Sequence, residues 1–594
     1  METKYYTVER GQQILLSLLK QHGIKRIIAS PGTTNITFVA SAQHDSWFEI
    51  YSSVDERSAA YLACGMAAET GDPVVLSCTG ATASRNYVSG MTEAYYRKLP
   101  ILAVTATQNE NRVGHLIPQM MDRSQQMKDI CVHSEHIAVP RNADDEWDVT
   151  IRLNRAVLAL YHRGGGPVHI NLATDYNRDF SIHELPLARC VRRYLPKDNL
   201  PVIPQGRVAI KVGNHKRWSD ILLRSVNLFC QKYGALVFCD HSSNYTGPFR
   251  VHNGLLSYQS RYNKSAYYHS KLLIHIGEVS GYSNEGLENT EQVWRVNEDG
   301  ELRDPYRKLT KVFEMTEEEF FFYYINQQEA FAERETESEK WLQSFHTVQK
   351  RMQAVIPELP FSNVWVAQQT TMRLPENSVL HLAILNSFRT WNLFELPVSV
   401  QSEVYANTGG FGIDGCMSSM IGGAIVHPEQ LHFLVIGDLA FFYDLNVLGN
   451  RHVGDNVRIL LINNGKGTEF RNYNHFAAQF GESADEYIAA ARHYGNKSLN
   501  LVRHLAEDLG YEYLSANNKE EYLSVVERFV DIIPNEHQRS MIFEVFTNNE
   551  DESDALQAMS MLMQDPKTFK QQLKRVLPEL VIEAIHKQKR KKFF

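Results

Sequence analysis

The sequence predicts an α/β protein with three doubly wound, parallel-sheet domains and a helical C-terminal tail. The length of 594 residues suits two to four domains, and a hydrophobic content of 43% is that of a globular chain with several cores. Short apolar runs of strand length alternate with helical segments, which is the pattern of parallel sheets covered by helices. Two of those runs end in polar residues, at the position where such sheets bind ligands.

The first domain is predicted over residues 1–190. It begins with an amphipathic helix over 12–21. Its strands are expected over 26–29, 74–77, 101–104 and 168–171. The basic, proline-containing segment 186–206 lacks clear periodicity, so it is predicted to link this domain to the next.

The second domain is predicted over residues 207–345, with strands over 235–238 and 272–276. Thr316 precedes three glutamates and is expected to cap a helix. The charged segment 329–349 is predicted to be a linking helix. No dinucleotide-binding GxGxxG pattern is found here.

The third domain is predicted over residues 355–548, with strands over 431–436 and 457–462 and a helix between them over 440–448. Residues 549–594 are predicted to form a helical tail with a basic end. That end is interpreted as a solvated, frayed terminus, and contact with an anionic surface is the alternative.

The composition argues against several functions. A net charge of −8 argues against general nucleic-acid binding. The seven cysteines include no CxxC pair and no zinc-binding spacing, so reduced thiols are expected. Residues 1–10 are too polar for a signal peptide, and no apolar run reaches the roughly 18 residues of a membrane span. We therefore expect a cytoplasmic protein without a membrane span.

The most informative motif is Gly-Asp-Leu at 437–439, directly after the apolar run 431–436. Asn464 follows the second run, 457–462. The carboxyl ends of parallel strands meet at one edge of a sheet, so Asp438 and Asn464 are expected to lie together. A carboxylate and a carboxamide are hard oxygen ligands that suit Mg²⁺, which usually adds phosphate oxygens and water. The turn amides would face those phosphates.

A second candidate is Glu56, which lies between a short strand and a helix of small residues over 59–68. A glutamate at that position is ordinarily a surface or capping residue. Together with a distant metal and diphosphate motif, however, its position is that of the activating carboxyl in thiamine diphosphate enzymes.

On these motifs the chain resembles the thiamine diphosphate-dependent decarboxylases and carboligases of the acetolactate synthase and pyruvate decarboxylase superfamily. It is most similar to the branch of the menaquinone-pathway 2-succinyl-5-enolpyruvyl-6-hydroxy-3-cyclohexene-1-carboxylate synthases. The resemblance covers about residues 5–550 and leaves out the tail. The segments that carry it are Ser-Pro-Gly-Thr at 30–33, Asp-Glu-Arg at 55–57, the glycine-rich 407–415, the Gly-Asp-Leu segment continued to 446, and Asn-Asn-Gly-Lys at 463–466.

The resemblance implies a role for each matching residue. Asp438, the Asn464 side chain and the Lys466 carbonyl would ligate Mg²⁺, and Glu56 would hydrogen-bond a pyrimidine nitrogen of the cofactor. Ile413 would hold the cofactor in its bent form, although without the surrounding motif it would be interpreted as a core residue. The residues expected around the diphosphate are Asn386, Ser387, Gly437, Leu439 and Ala440. The residues expected on the reacting face are Thr33, Thr79, Gly80, Asn86 and Gln119, the last of which alone reads as a loop residue.

Several arginines that the resemblance leads us to expect are absent. Thr34, Trp391 and Thr408 stand at three of these positions, and the segment 105–111 lacks a fourth. Because threonine and tryptophan cannot make bidentate contacts to carboxylates, the dicarboxylate donor and isochorismate acceptor of that branch are not expected here. Basic residues that could bind a donor carboxylate in place of these arginines are Arg85, Arg112, Arg389 and Lys466, and His115 is a candidate proton shuttle. Considered alone, each is more often a surface residue.

The function predicted is decarboxylation of a 2-oxo acid with transfer of the acyl-anion equivalent to an acceptor. The alternatives are a simple 2-oxo acid decarboxylase, the menaquinone-pathway synthase itself and a catalytically silent homologue. A nucleotide-binding protein is disfavoured, because no GxxxxGK[ST] loop is present. The resemblance implies a homodimer or a dimer of dimers, in which Glu56 of one subunit faces Asp438 of another. The donor, the acceptor and the pathway stay open.

Overall fold

The structure is a computed structural model. It describes residues 5–259, 265–281, 286–327, 332–401, 403–493, 497–532 and 539–563. Within these ranges the chain divides into two compact units, one from 1–198 with 299–314 and the other from 199–298 with 315–594. Every helix in the described ranges is either too short or too polar for a membrane span.

The first unit contains a six-stranded sheet. Its strands are β1 (Arg26–Ala29), β2 (Glu49–Ser52), β3 (Val74–Cys78), β4 (Ile101–Thr107), β5 (His133–Ile137) and β6 (Val168–Ala173). Its helices are α1 (Arg10–Gln21), α2 (Ile36–Gln43), α3 (Glu56–Thr70), α4 (Thr82–Asn86), α5 (Val88–Arg97) and α6 (Ala143–Ala159). The strand order is β2-β1-β3-β4-β6-β5 and all pairs are parallel, so the order reverses between β1 and β3.

Helices cover both faces of this sheet. Ile27 and Val75 pack into a core with α1, α2 and α6. Their neighbours Ile28 and Leu76 pack into another core with α3 and α5. Successive strand residues face opposite sides of a sheet, so these strands are apolar on both faces, as parallel strands between helical layers are. The doubly wound fold predicted for this domain is confirmed.

Two more strands of the first unit, β7 (Arg192–Tyr194) and β13 (Leu309–Phe313), pair in parallel with each other. Strand β7 lies inside the segment 186–206 that was predicted as a linker. The register aligns Arg193 with Val312, so backbone pairing with a distant strand makes this part of the segment regular without apolar periodicity.

The second unit begins with the strands of the middle sheet. They are β8 (Val208–Val212), β9 (Ala235–Cys239), β10 (Arg250–His252), β11 (Leu272–Ile276) and β12 (Val293–Val296). They lie in the order β10-β9-β8-β11-β12 with parallel pairing. The helices are α7 (Asp220–Tyr233), α8 (Gly254–Ser257), α9 (Ser265–Tyr268), α10 (Glu317–Ile325) and α11 (Ala332–Ala354). The predicted cap is confirmed, because Thr316 and Glu319 form a reciprocal capping box at the start of α10.

The second unit also contains a six-stranded parallel sheet. Its strands are β14 (Val379–Leu382), β15 (Val404–Tyr405), β16 (His432–Gly437), β17 (Val457–Asn463), β18 (Glu512–Ala516) and β19 (Met541–Phe546). Its helices are α12 (Asn363–Thr370), α13 (Asn386–Trp391), α14 (Val398–Gln401), α15 (Cys416–Val426), α16 (Asp438–Tyr443), α17 (Leu501–Asp508), α18 (Lys519–Val530) and α19 (Asn549–Ser560). The order β15-β14-β16-β17-β19-β18 reverses between β14 and β16.

The structure differs from the helix predicted over 440–448 and describes only the start of the predicted tail. The helix predicted over 440–448 is split: α16 ends at Tyr443, and a 3-10 turn follows at Leu445–Gly449. The side chain of Asp444 accepts hydrogen bonds from the backbone N–H and hydroxyl of Ser418, which fixes the chain at the break. The predicted helical tail begins with α19, and its residues 564–594 lie outside the described ranges.

Candidate active site

Asp438 and Asn464 follow neighbouring strands of the third sheet. The register pairs Gly437, at the end of β16, with Ile462 of β17, so both strands end at the same edge. Asp438 directly follows Gly437, and Asn464 directly follows the last residue of β17. Strand order reverses between β16 and its other neighbour, β14, and such a point in a doubly wound sheet is where ligands bind.

The carboxyl of Asp438 is buried, with 5% of the residue exposed. One of its oxygens accepts the backbone N–H of Leu439 at 2.8 Å. Burial raises the pKa of Asp438 to about 7, against a lowering by the backbone N–H groups of Leu439 and Gly465. Among the described residues, no lysine, arginine or histidine forms an ion pair with it. A buried carboxyl in these surroundings suits a bound cation, which would favour its charged form.

Asn464 presents a carbonyl oxygen with no partner. Its Oδ1 is buried and accepts no hydrogen bond from any described residue. Its Nδ2 donates to Thr468 Oγ1 at 3.3 Å, and Thr468 also contacts the Asn386 amide at 3.2 Å. The orphaned Oδ1, beside the uncompensated carboxyl of Asp438, fits the oxygen ligands that Mg²⁺ requires.

Lys466 is placed in the turn after Asn464, and its ammonium is bound to Asp485 at 2.8 Å. This leaves the Lys466 backbone as the part of the residue relevant to a metal. The ion pair also engages the Lys466 ammonium, which was a candidate for binding a donor carboxylate. Asp485 additionally pairs with Arg471, and both partners lower the pKa of Asp485 against the effect of burial.

The remaining candidates of the third domain surround the same strand ends. A Cβ built on Gly437 would meet no atom within 4 Å, so there is open space beside the Asp438 turn. Ala440 lies in the core of the sheet, and Ile413 packs against that core while half-exposed. Leu439 is half-buried, and Ser387 is buried in the first turn of α13, which follows β14.

In the first domain, the candidate threonines follow β1 and β3, where strand order reverses. The hydroxyls of Thr34 and Thr79 lie 2.5 Å apart, and the Gly80 N–H donates to Thr34 Oγ1 at 3.3 Å. Thr33 is exposed and Thr79 is half-buried. A Cβ on Gly32 would lie 2.5 Å from the Thr79 Cβ, so a glycine is required for this close approach of the two turns.

Glu56 is the first residue of α3, after the capping residue Asp55, whose carboxylate accepts the Arg57 N–H at 2.9 Å. The Glu56 side chain is half-buried and accepts a hydrogen bond from Asn86 Nδ2 at 3.4 Å. Burial raises the pKa of Cys78 to about 12, and the nearby charge of Glu56 is a smaller contribution in the same direction. The structure therefore brings Glu56, Asn86 and the end of β3 together.

Gln119 does not join these residues through any hydrogen bond found among the described residues. It is exposed, with a left-handed φ of 65°. The same loop contains Arg123, which is 2% exposed and donates from Nη2 to the Ala106 carbonyl at 3.0 Å. No sequence pattern singles out Arg123, because an arginine in a polar loop is ordinarily solvated.

The positions that lack the expected arginines lie in the domain interiors. Trp391 is 1% exposed and Thr408 is 3% exposed, with the Thr408 hydroxyl accepting Asn214 Nδ2 at 2.9 Å. Three substitute candidates are engaged elsewhere or exposed: Arg389 pairs with Glu469, Arg112 donates to Gln108 at 2.6 Å, and Arg85 is exposed. His115 is exposed as well.

Comparison with known proteins shows which proteins the chain is similar to. Residues 9–127 match the model of the thiamine pyrophosphate enzyme N-terminal TPP binding domain. The chain is 29% identical over 565 residues to a 2-succinyl-5-enolpyruvyl-6-hydroxy-3-cyclohexene-1-carboxylate synthase of Bacteroides thetaiotaomicron, covering 91% of this chain and 97% of the relative. It is 29% identical to the synthase of Phocaeicola vulgatus, over 93% and 98% of the two chains. It is 25% identical to that of Flavobacterium johnsoniae, over 90% and 95%.

The fold and the matched N-terminal domain make the chain similar to the thiamine pyrophosphate enzymes as a class. Within that class, the chain is similar over 91% of its length to a synthase of the menaquinone-pathway type. The resemblance predicted from the sequence motifs is confirmed.

Proposed function

We propose that the chain is a thiamine diphosphate- and Mg²⁺-dependent enzyme that decarboxylates a 2-oxo acid and transfers the acyl-anion equivalent to an acceptor. The observation that carries the proposal is the pair of oxygen ligands at adjacent strand ends. Asp438 is a buried carboxyl without a cationic partner among the described residues, and Asn464 Oδ1 is a buried acceptor without a donor. Both belong to a chain whose N-terminal domain matches the thiamine pyrophosphate enzymes.

Asp438, Asn464 and the Lys466 carbonyl would hold Mg²⁺, and the open turn at Gly437 would admit a diphosphate. Thr468 orients Asn464, because its hydroxyl binds the amide nitrogen and leaves Oδ1 free for the metal. Leu439, Ala440, Asn386 and Ser387 would border the diphosphate, and Ile413 would press on the cofactor from the core side.

Thiamine diphosphate, when bound, supplies the carbanion chemistry that a side chain cannot. The chain contributes Glu56, which would exchange a proton with the cofactor's pyrimidine ring as a general acid and base. Asn86 donates to Glu56 Oε2 and holds the carboxylate in position. Thr33, Thr79 and Gln119 would line the face on which the substrates react.

Two substrate pairs are candidates. The comparisons favour the reaction for which the relatives are named, synthesis of 2-succinyl-5-enolpyruvyl-6-hydroxy-3-cyclohexene-1-carboxylate. Thr34, Trp391 and Thr408 favour a different pair, because none of them can bind a carboxylate as the expected arginine would. Trp391 and Thr408 are enclosed in the domain interior and present no charge there. The second candidate is a smaller donor such as pyruvate with a less acidic acceptor.

The direct experiment is an assay of the holoenzyme, reconstituted with thiamine diphosphate and Mg²⁺. One arm supplies 2-oxoglutarate with isochorismate, and the other supplies pyruvate with a panel of aldehydes and keto-sugars. Efficient coupling in the first arm assigns the synthase reaction, and coupling only in the second assigns the different pair. CO₂ release with no coupled product would indicate a simple decarboxylase. Bound cofactor without CO₂ release from any 2-oxo acid would contradict the proposal and leave a catalytically silent homologue.

We further propose a homodimer or a dimer of dimers as the active form. Each domain that would contribute to the site exposes large apolar side chains on one helix: Tyr61 and Leu62 on α3 are 48% and 50% exposed, and Ile425 and Val426 on α15 are 44% and 70% exposed. Contiguous exposed apolar side chains mark protein interaction sites. Sedimentation at assay concentration tests this, and a fully active monomer would contradict it.

A further inference from the structure

Arg123 is buried in a loop that is otherwise in contact with solvent. The loop runs over residues 108–129, all of them described, and every residue in it except Arg123 is exposed or half-buried. Arg123 itself is 2% exposed. A loop that buries an arginine in preference to the methionines beside it has a specific need for the guanidinium.

Most of the hydrogen-bonding capacity of this guanidinium is unused. A guanidinium has five N–H donors. Nη2 donates to the Ala106 carbonyl at 3.0 Å, whereas Nε and Nη1 are buried and have no partner among the described residues. No carboxylate of the described residues forms an ion pair with Arg123. Burial lowers its pKa, and the charge of Arg85 lowers it further, while Cys78 opposes them. An unpaired buried charge is expensive, so the site is incomplete without an anion.

The guanidinium lies beside the residues of the proposed reacting face. Thr34 Oγ1 and Arg123 Nη2 both contact the Ala106 carbonyl, at 3.5 and 3.0 Å. A Cβ on Gly80 would lie 2.9 Å from Nη2, so the glycine lets the guanidinium reach the turn after β3. The charges of Glu56 and Arg123 act on the pKa of Cys78 in opposite directions, Glu56 raising it and Arg123 lowering it. Arg123 thus reaches, from a different loop, the place next to Thr34.

We infer that Arg123 binds a carboxylate of one of the two substrates and does the work of the arginine that is absent at position 34. The inference rests on the proposed function and deepens it. A carboxylate is the anion that fits, because Nη1 and the second N–H of Nη2 can donate two parallel hydrogen bonds to its two oxygens. Because Nη1 is buried, a carboxylate reaches it only if the surrounding structure opens, which hydrogen exchange of the loop can report.

The test compares Arg123→Gln with Arg123→Lys in the holoenzyme. Glutamine removes the charge, and lysine keeps it while losing the two-point contact. We expect Arg123→Gln to raise the KM of the carboxylate-bearing substrate by about tenfold to a hundredfold, the range for a lost hydrogen bond to a charged group. Arg123→Lys should fall between it and the wild type. Arg97→Gln, at an exposed ion pair of the same domain, is the matched control and should leave KM unchanged.

Two arms identify which substrate carries the carboxylate. CO₂ release from pyruvate and from 2-oxoglutarate without acceptor reports the donor alone, and coupling at saturating donor reports the acceptor. Unchanged KM values for both substrates, with a loss of thermal stability, would show that Arg123 only anchors its loop and would overturn the inference. If Arg123→Gln does not fold, the KM shift of Arg123→Lys decides in the same way.

A binding experiment separates this inference from the proposed function. Calorimetry measures the affinity of the cofactor-loaded protein for pyruvate and for succinate, and hydrogen exchange measures the protection of 108–129 on binding. Carboxylate binding that is weakened in Arg123→Gln supports the site even if no CO₂ is released. Equal affinity in wild type and variant, or no binding to the wild type, would overturn the inference whether or not the enzyme turns over.

Discussion

The two clusters of candidate residues lie at equivalent places in two doubly wound sheets but are built differently. In the third domain, Asp438 and Asn464 follow adjacent strands β16 and β17 directly, and Asn386 begins the helix after β14. In the first domain, only Thr79 directly follows a strand, β3, whereas Thr33 and Glu56 lie further along the chain after β1 and β2. Glu56 starts α3, and Arg123 comes from a long loop.

The difference also concerns charge. The third-domain cluster lacks a cation beside Asp438, whereas the first-domain loop lacks an anion beside Arg123, in both cases among the described residues. In the proposed function a metal ion bound with the cofactor would meet the first deficit, and in the inference drawn for Arg123 a substrate carboxylate would meet the second. Each cluster is therefore expected to respond to a different ligand, and mutations can separate the two.

The largest effect is expected for Asp438→Ala. Removing a hard ligand leaves the diphosphate charge uncompensated, so the affinity for thiamine diphosphate with Mg²⁺ should fall below detection in calorimetry. The fold should survive, because a buried carboxyl with a pKa near 7 does not stabilise the protein without a cation. Asp508→Ala, at an exposed carboxylate at the end of α17, is the control. Unchanged cofactor affinity in Asp438→Ala would refute the metal assignment.

The next effect is expected for Glu56→Gln, which belongs to the other cluster. The amide keeps the shape and a hydrogen bond but cannot exchange the proton, so binding should persist and turnover should fall at least about a hundredfold. Proton–deuterium exchange at the thiazolium carbon, followed by NMR, measures the step directly. Glu69→Gln, at an exposed position of the same helix, should exchange as the wild type does. Rapid exchange in Glu56→Gln would remove Glu56 from this role.

The sequence predicted the central strands well, because buried parallel strands are continuous apolar runs. Strands β1 and β11 have the predicted bounds, and β17 differs by one residue. It did not predict β7, whose regularity comes from pairing with β13 rather than from its own pattern. The helix predicted over 440–448 is split, because Ser418, distant in sequence, binds Asp444. In both cases, contacts between residues that are distant in sequence determine the local backbone structure.

The candidate site shows the same division. Asp438 and Asn464 could be brought together from sequence, because strand ends of one sheet must share an edge. Arg123 could not be assigned to the site from sequence, because its burial depends on how the loop 108–129 packs. The burial of Trp391 and Thr408 could not be predicted either, since both residue types also occur at surfaces. Roles that depend on a bound cofactor stay predictions.

A smaller effect is expected from pH, and it concerns buried histidines in both domains. Burial lowers the pKa of His169 to about 3 in the first domain, and those of His381 and His432 to about 3 and 4 in the third. These groups stay neutral when folded but protonate near pH 6.5 when unfolded, so their stabilisation is full above pH 6.5 and is lost as pH falls towards the folded pKa. At pH 5 the loss should be about 2 kcal/mol for His169.

Hydrogen exchange of the individual strands at pH 7.5 and pH 5 measures this loss domain by domain. His169→Gln should reduce the pH dependence of exchange protection in β4, β5 and β6 only, since the ring bonds to Thr105 and Ser134 there. His381→Gln should flatten it in β14 and β16, where His381 contacts His432 at 3.2 Å. The same flattening in both domains from one variant would show that the two regions do not unfold separately.

The smallest effect is expected for the threonine that organises each cluster. Thr34 bridges Thr79 and the Gly80 N–H, and Thr468 contacts the amides of Asn386 and Asn464. Replacing either by valine keeps the shape and removes one hydroxyl, which should cost about 1 kcal/mol of stability in urea unfolding.

The two substitutions should nevertheless differ in their effect on the metal. Thr468→Val frees the Asn464 amide to rotate, so Oδ1 is no longer held ready and the Mg²⁺ concentration that supports cofactor binding should rise several-fold, as expected when a group orienting a ligand is lost. Thr34→Val should leave this concentration unchanged, because Thr34 contacts the first-domain turns and no candidate metal ligand. Titration of Mg²⁺ at fixed thiamine diphosphate compares them. Equal shifts in both variants would mean that the two threonines act only through overall stability, and that neither cluster is organised independently of the other.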